Sequence, residues 1–268
     1  MTFLDGLTER DIATLANIVG AESAELVEDL RRRPWSIHDL LADPGVFETV
    51  LDRNAHPADV VSPFLLFSVL VHRAAEDLRE ATYVNDWSGP RSRLPVFDVA
   101  PLQEFVQDPG RTLFLSRLLA SFVVPERPPV PANPFDLGQL AMWIDQVMPE
   151  DRPTLLRRLG DLALFLTGVF PDHTGAKPLL PAQAERLGRT VSMNSEEILA
   201  LCDRGRIAPG LDALEALGVR WYEAAVKGSA APPVVADVAH RFNAARRVLN
   251  HLTDAHLYRV ETGWGSAA

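Results

Sequence analysis

Residues 62–81 read SPFLLFSVLVHRAAEDLREA, and this stretch predicts the helix on which the fold is built. Ser62 is suited to cap the helix, and Pro63 costs nothing in the first turn because that amide has no partner within a helix. The first half of the stretch is apolar on nearly every side, which is typical of a helix with neighbours all round. We therefore expect a buried central helix that ends near Ala81.

Helical patterns also occur on both sides of this stretch. Amphipathic runs extend from Thr8, which is suited to cap the first helix, to Pro34. Long helices are indicated at residues 154–170 and 211–226. The last predicted helix carries residues at alternating spacings of three and four, which indicates one narrow buried stripe. The stripe consists of Val235, Val238, Phe242, Ala245, Leu249, Leu252 and His256. With no convincing strand pattern and no fixed repeat, the sequence predicts an all-α, multi-helix bundle.

A proline-rich segment, PERPPVPANP at residues 125–134, interrupts these helical patterns near the middle of the chain. Its five prolines remove five backbone donors and favour extended geometry, so neither a helix nor a central strand can cross it. We expect an acidic helical half at 1–124, a surface strap at 125–134 and a second helical half at 135–268. Because roughly 130 residues of short helices give little cover to a long apolar helix, the two halves are expected to share one core.

The charge of the chain disfavours nucleic acid as a partner. The formal charge is −10, and residues 1–124 carry 11 Lys+Arg against 19 Asp+Glu, which is −8 of that total. Such a half repels a phosphate backbone, whereas nucleic-acid binders present a basic stripe. A regulatory contact with nucleic acid through the nearly neutral second half is a third alternative, beside the two functions considered at the end of this subsection.

Three features predict a cytoplasmic protein that does not enter a membrane. The longest apolar stretch, residues 60–71, is interrupted by polar residues and falls short of the roughly 20 residues that a membrane span needs. The amino terminus lacks the pattern of a signal peptide, and Cys202 is the single cysteine, so no internal disulfide can form.

Residues 83–93, YVNDWSGPRSR, form the strongest candidate for binding. The segment is predicted as a loop that continues to residue 97, and long ordered loops on helical scaffolds often carry binding. Tryptophan, tyrosine and arginine are the side chains that most often anchor interfaces. The predicted interface or ligand residues are Tyr83, Asn85, Asp86, Trp87, Arg91 and Arg93. The alternative is that Tyr83 and Trp87 fill a gap between helices while Asp86 pairs with an arginine.

Ser68, His72 and Glu76 follow one another at intervals of four on the central helix and form a polar stripe. A hydrolytic triad needs a base beside the serine and a group that orients the base, but side chains stacked on one helix all tilt the same way. We therefore expect Ser68 to bond to its own helix and His72 to pair with Glu76. The alternative is a pocket between the helix at 62–81 and the loop at 83–97.

The sequence predicts no metal site and no cofactor. Asp237 with His240 and His251 with Asp254 have the spacing of ligand pairs, but the two histidines lie roughly 16 Å apart along a helix and cannot share an ion.

No motif in the chain specifies a reaction. A nucleophile elbow, a phosphate loop, a zinc spacing and a dinucleotide fingerprint are all missing from the sequence. We therefore expect an interaction, scaffold or regulatory protein that binds another protein or its own copies. The alternative is a helical enzyme or binding protein that takes a small ligand or a metal, and the sequence does not decide whether it is an enzyme.

Overall fold

Helices account for most of the chain, as the sequence predicts. The computed structural model describes residues 2–51, 61–123, 137–144, 146–175, 178–201, 208–228 and 232–257. Within these ranges the chain forms fifteen α-helices and one two-stranded antiparallel sheet. The proline-rich segment 125–134 and Cys202 lie outside the described residues.

The elements follow one another along the chain in this order. Before the sheet come α1 (Glu9–Val19), α2 (Ser23–Arg32), α3 (Ser36–Ala42), α4 (Pro44–Val50) and α5 (Pro63–Glu80). The strands β1 (Val84–Gly89) and β2 (Ser92–Val96) precede α6 (Ala100–Gln107), α7 (Pro109–Val123) and α8 (Leu137–Ile144). The remaining helices are α9 (Arg152–Val169), α10 (Pro171–Thr174), α11 (Pro181–Arg189), α12 (Ser195–Leu201), α13 (Pro209–Gly228), α14 (Pro233–His240) and α15 (Phe242–Leu252). A π-helical turn, Thr253–Leu257, follows α15.

The contacts between residues divide the chain into two units. Unit 1 holds the described residues within Met1–Ala81, Val106–Glu126 and Asp254–Ala268, and unit 2 holds those within Thr82–Phe105 and Arg127–Thr253. Helices α1 to α5 and α7 therefore belong to unit 1, and the sheet and α8 to α15 belong to unit 2. The division at the proline-rich segment stays a prediction, because that segment is outside the described ranges.

Two capping residues predicted from the sequence begin helices of unit 1. The Thr8 hydroxyl accepts a hydrogen bond from the Asp11 amide at 3.1 Å, and the Asp11 carboxylate accepts one from the Thr8 amide at 2.8 Å. Ser62 caps α5 by accepting from the Leu65 amide at 3.2 Å. The other oxygen of Asp11 accepts from the Ser62 amide at 2.8 Å, so this fully buried carboxylate joins the start of α1 to the start of α5.

Helix α5 is the buried helix of unit 1. It packs against α3, α4 and α7, and Leu65, Val69, Leu70 and Leu78 are almost entirely buried. Its apolar first half therefore has neighbours on several sides, which confirms the expectation from its composition.

Helix α9 has the same role in unit 2, where close approach of helices depends on glycine. It packs against α13 and α15. A Cβ atom on Gly160 of α9 would stand 2.6 Å from the Tyr222 ring, and one on Gly218 of α13 would stand 2.5 Å from the Phe242 ring. Both distances are below van der Waals contact, so only glycine permits the observed packing.

The prediction of one narrow stripe on a single last helix was wrong in two respects. The helix is interrupted at Arg241 between α14 and α15, and α15 is buried on nearly every side. The apolar residues of the stripe are buried as predicted, but Arg246, Arg247 and Asn250 are buried as well. A heptad pattern treats arginine as exposed, whereas here carboxylates contributed by other elements pair with the two arginines.

Residues 83–97 were predicted as a loop, and the structure shows a β-hairpin instead. The strands pair antiparallel, with Val84 opposite Val96 and Asp86 opposite Leu94. The turn contains Gly89 and Arg91, both with positive φ. The sequence shows no strand pattern here, because prolines at positions 90 and 95 and several polar residues interrupt the alternation of apolar and polar side chains that is typical of a strand.

Candidate functional site

Asp86, one of the predicted binding residues, holds the hairpin to α15 in unit 2. Its carboxylate lies 2.9 Å from Nε of Arg247 and 3.6 Å from a terminal nitrogen of Arg246. The side chains of these arginines are only 8% and 7% exposed. Arg246 also pairs with Glu215 at 3.1 Å and donates to Asn250 at 2.8 Å. Asp86 thus places a negative charge beside the buried Arg247 and shares the neutralisation of Arg246 with Glu215.

Asp172, which follows Pro171 at the start of α10, binds the other side of the hairpin. One of its carboxylate oxygens accepts hydrogen bonds from the Trp87 indole at 2.7 Å, the Arg91 amide at 3.0 Å and the Arg93 guanidinium at 3.2 Å. Burial raises the pKa of Asp172, but these three hydrogen bonds outweigh it and hold the pKa below the ordinary value of 3.8. The indole of Trp87 is buried and fills the space above Gly175.

Tyr83 and Asn85 lie at the surface of the hairpin. The Tyr83 ring is tilted against that of Phe97, with 5.9 Å between the centroids, and the two residues are 50% and 73% exposed. The six predicted residues therefore separate into two sets. Contacts within unit 2 occupy Asp86, Trp87, Arg93 and the backbone of Arg91, and Tyr83 and Asn85 face outwards. Binding by any of them stays a prediction.

A cleft of about 520 Å³ opens in unit 1 between α3, α5 and the segment 106–116. This volume lies in the ordinary range of small-molecule sites, roughly 300–1,000 Å³. Most of the lining is apolar and includes Phe3, Trp35, Ile37, Leu41, Val71, Ala75, Val106 and Leu113. The polar lining residues are Thr2, His38, Ser68, His72, Arg79, Gln107, Thr112 and Ser116.

His72 is the most unusual group in this cleft. It is 8% exposed, and Nε2 has no hydrogen-bond partner among the described residues. The nearest carboxylate oxygen, on Glu76, is 3.9 Å from Nε2, which is too far for a hydrogen bond. The His38 ring lies 6.1 Å from the His72 ring, centroid to centroid.

The surroundings of His72 favour its neutral form. Burial, followed by the positive charges of His38, Arg79 and Arg73, lowers the pKa of His72 from 6.5 to about 4. Burial and the Arg79 charge also lower the pKa of His38, while Asp39 opposes them. Near neutral pH the cleft therefore contains an uncharged His72 imidazole that can still form a hydrogen bond.

Two of the three residues in the predicted polar stripe line this cleft. Ser68 does so while its hydroxyl donates to the Phe64 carbonyl at 2.7 Å, so it bonds to its own helix as expected. Glu76 contacts Arg79 and is absent from the described lining. No pattern in the sequence predicts that His38 and residues 106–116 share a cleft with His72, because their proximity depends on tertiary packing alone. A pocket between the helix at 62–81 and residues 83–97 stays a prediction.

Two further properties concern metals and membranes. Among the described residues, no three His, Cys, Asp or Glu side chains come close enough to hold a metal ion together. No helix in the described part of the chain is long and apolar enough to cross a bilayer.

Comparison with protein-family models, curated proteins and solved structures found no match to this chain. Its class is therefore defined by its own fold and site. In its described part it is a mainly helical protein with one β-hairpin and with a cleft lined by two histidines in unit 1.

Proposed function

We propose that this protein binds a small, largely apolar molecule in the cleft of unit 1. The observation that carries the proposal is Nε2 of the buried His72, which lies beside an apolar cleft and has no hydrogen-bond partner among the described residues. Buried polar atoms in proteins nearly always have a hydrogen-bond partner. A ligand that fills the cleft and offers one polar group to His72 supplies that partner, and apolar walls with few polar groups are typical of ligand sites.

The geometry favours binding over nucleophilic catalysis. An activated serine requires a base within hydrogen-bond reach, but the Ser68 hydroxyl donates to the Phe64 carbonyl instead. A base also needs an orienting partner, and the 3.9 Å between His72 and Glu76 is too long for that bond. The polar groups of the cleft are therefore suited to recognise a ligand.

The test uses N-phenyl-1-naphthylamine, a neutral probe whose fluorescence rises in apolar sites. We expect saturable binding to the wild-type protein. Leu113→Trp places a larger side chain in the cleft wall and is expected to weaken binding about tenfold or more. Leu180→Trp adds the same side chain at an exposed position of unit 2 and is the matched control.

Circular dichroism and thermal melting establish that both variants are folded. Equal binding by the wild type and Leu113→Trp refutes the cleft as the site, and a lack of saturable binding to the wild type refutes the proposed function.

Interaction with a protein partner, or with a second copy of the chain, is the second candidate. The exposed pair of Tyr83 and Phe97 supports it, since aromatic side chains often anchor interfaces. Sedimentation velocity tests self-association. We expect the oligomer to dissociate when Phe97 is changed to serine, and a wild-type monomer at all concentrations contradicts the second-copy form.

We also propose a cytoplasmic location. The single cysteine, Cys202, supports it, because proteins of oxidising compartments commonly carry disulfides. The acidic first half, residues 1–124, argues against nucleic acid as the partner.

A further inference from the structure

We propose that the ligand of the unit 1 cleft is an anion with an apolar body, of the class of the monocarboxylates, and that its charged group lies near His38, His72 and Arg79. This rests on the proposed function, that the cleft binds a small molecule, and it names the chemical class of that molecule. Three separate observations support this ligand class: the charge of the lining, the unpartnered Nε2 of His72 among the described residues, and the apolar walls of the cleft.

The chain as a whole is acidic, whereas the ionisable side chains that line the cleft are basic. The protein has 36 Asp+Glu against 26 Lys+Arg, yet no acidic side chain is among the described residues that line the cleft. Arg79 and the two histidines are the ionisable groups of that lining. The Arg79 charge contributes to lowering the pKa of both histidines, so its field reaches both rings. Apolar walls strengthen such a field, which attracts an anion and repels a cation.

The unpartnered nitrogen suits a ligand that accepts hydrogen bonds. A carboxylate only accepts, and the neutral His72 ring can carry its proton on Nε2 and donate it. A bound negative charge also favours the protonated form of a nearby histidine. Binding is therefore expected to take up protons when the pH lies between the pKa values of His72 in the free and in the bound protein.

Charged groups on two elements influence the protonation of His72. On α5 they are Arg73, Glu76 and Arg79, and on α3 they are His38 and Asp39. The third wall, residues 106–116, lines the cleft with the uncharged Gln107, Thr112 and Ser116. Asp108 and Arg111 of the same segment are charged but are not among the described lining residues. The charges that lower the pKa of His72 are those of His38, Arg79 and Arg73, although Arg79 also pairs with Glu76. An anionic ligand reduces the repulsion between these positive groups.

The rest of the lining suits the apolar body of such a ligand. Val71 and Ala75 on α5 face the same cleft as Ile37 on α3 and Leu113 on α7. Burial of each ligand methylene against these side chains contributes about 0.8 kcal/mol. An aliphatic or aromatic body with one charged end therefore matches both parts of the cleft.

Three probes with the same chain and different head groups test the ligand class: octanoate, octan-1-ol and octylamine. Each competes with N-phenyl-1-naphthylamine on the intact protein. We expect octanoate to displace the probe at concentrations about tenfold lower than octylamine. Arg79→Gln is expected to weaken octanoate about fivefold or more and to leave octanol nearly unchanged. Arg32→Gln, which removes an exposed arginine paired with Glu28 in unit 1, is the matched control.

Calorimetry in two buffers of different ionisation enthalpy measures the protons taken up with octanoate at about pH 6. We expect uptake in the wild type and less uptake in His72→Gln. Equal competition by octylamine and octanoate, or equal effects of Arg79→Gln and Arg32→Gln, overturns the ligand class and leaves the proposed function standing. If the fluorescent probe binds saturably but octanoate does not displace it, the ligand class is likewise overturned and the proposed function stands. If the fluorescent probe does not bind the wild type, both proposals fail.

Discussion

Asp86→Asn tests whether the hairpin of unit 2 is held by its ion pairs with buried arginines. Asparagine keeps the shape of the side chain and removes the negative charge that faces Arg246 and Arg247 at 3.6 and 2.9 Å. Removing one partner of a buried ion pair typically costs about 3–5 kcal/mol, because the other charge is left without compensation.

The loss of stability expected for Asp86→Asn is somewhat smaller than this typical cost. Asp86 is 19% exposed, and Arg246 retains Glu215 at 3.1 Å. Arg247 retains the hydrogen bond that its side chain donates to the Asp98 carbonyl at 3.3 Å. We therefore expect the free energy of unfolding to fall by about 2–3 kcal/mol.

Urea unfolding followed by circular dichroism measures this loss. Glu185→Gln removes a carboxylate from an exposed pair with Arg189 in the same unit and is expected to cost less than about 0.5 kcal/mol. Hydrogen exchange gives a local measurement, in which the amides of β1 and β2 are expected to exchange faster in Asp86→Asn.

A double variant checks the assignment to Arg247. When Arg247→Met is already present, Asp86→Asn is expected to cost at least about 1 kcal/mol less than it does alone, since there is less buried charge to leave unpaired. If Asp86→Asn lies within about 0.5 kcal/mol of the wild type, or if the two changes are additive, the ion pair does not stabilise the hairpin.

Three further changes have defined outcomes. Gly218→Ala places a methyl group 2.5 Å from the Phe242 ring, and urea unfolding is expected to show a loss of about 1–3 kcal/mol. Thr8→Ala removes the hydroxyl that caps α1 and is expected to cost about 1 kcal/mol, measured in the same way; no loss contradicts the role of the cap. The pKa of His72 is lowered from 6.5 to about 4, so between these pH values the unfolded chain binds a proton that the folded protein does not. Stability should therefore fall with decreasing pH in that window by about 3 kcal/mol more in the wild type than in His72→Gln, and parallel pH profiles contradict this.

Helix starts were accessible from the sequence because the interactions that define them are local. Thr8 and Asp11 are three residues apart and exchange hydrogen bonds, and Ser62 binds the amide three residues ahead of it. Interactions of this range depend little on the rest of the fold. The apolar composition of α5 likewise predicted its burial.

The hairpin and the buried arginines were not accessible in this way. Trp87 and its partner Asp172 are separated by 85 positions, and Arg247 reaches the Asp98 carbonyl across 149 positions. A sequence pattern assigns such polar residues to the surface, since burial requires partners that only the folded chain brings together.

The cleft combines features that the sequence predicts with features that only the folded chain reveals. The sequence by itself determined that Ser68, His72 and Glu76 share one side of α5, because the helical period places every fourth residue on the same face. Only the tertiary structure decided that His38 and residues 106–116 line the cleft with His72 and that Nε2 has no hydrogen-bond partner among the described residues. The physical reason is range: helical periodicity follows from backbone hydrogen bonds between near neighbours, whereas a binding cleft is formed by walls that are distant in the chain.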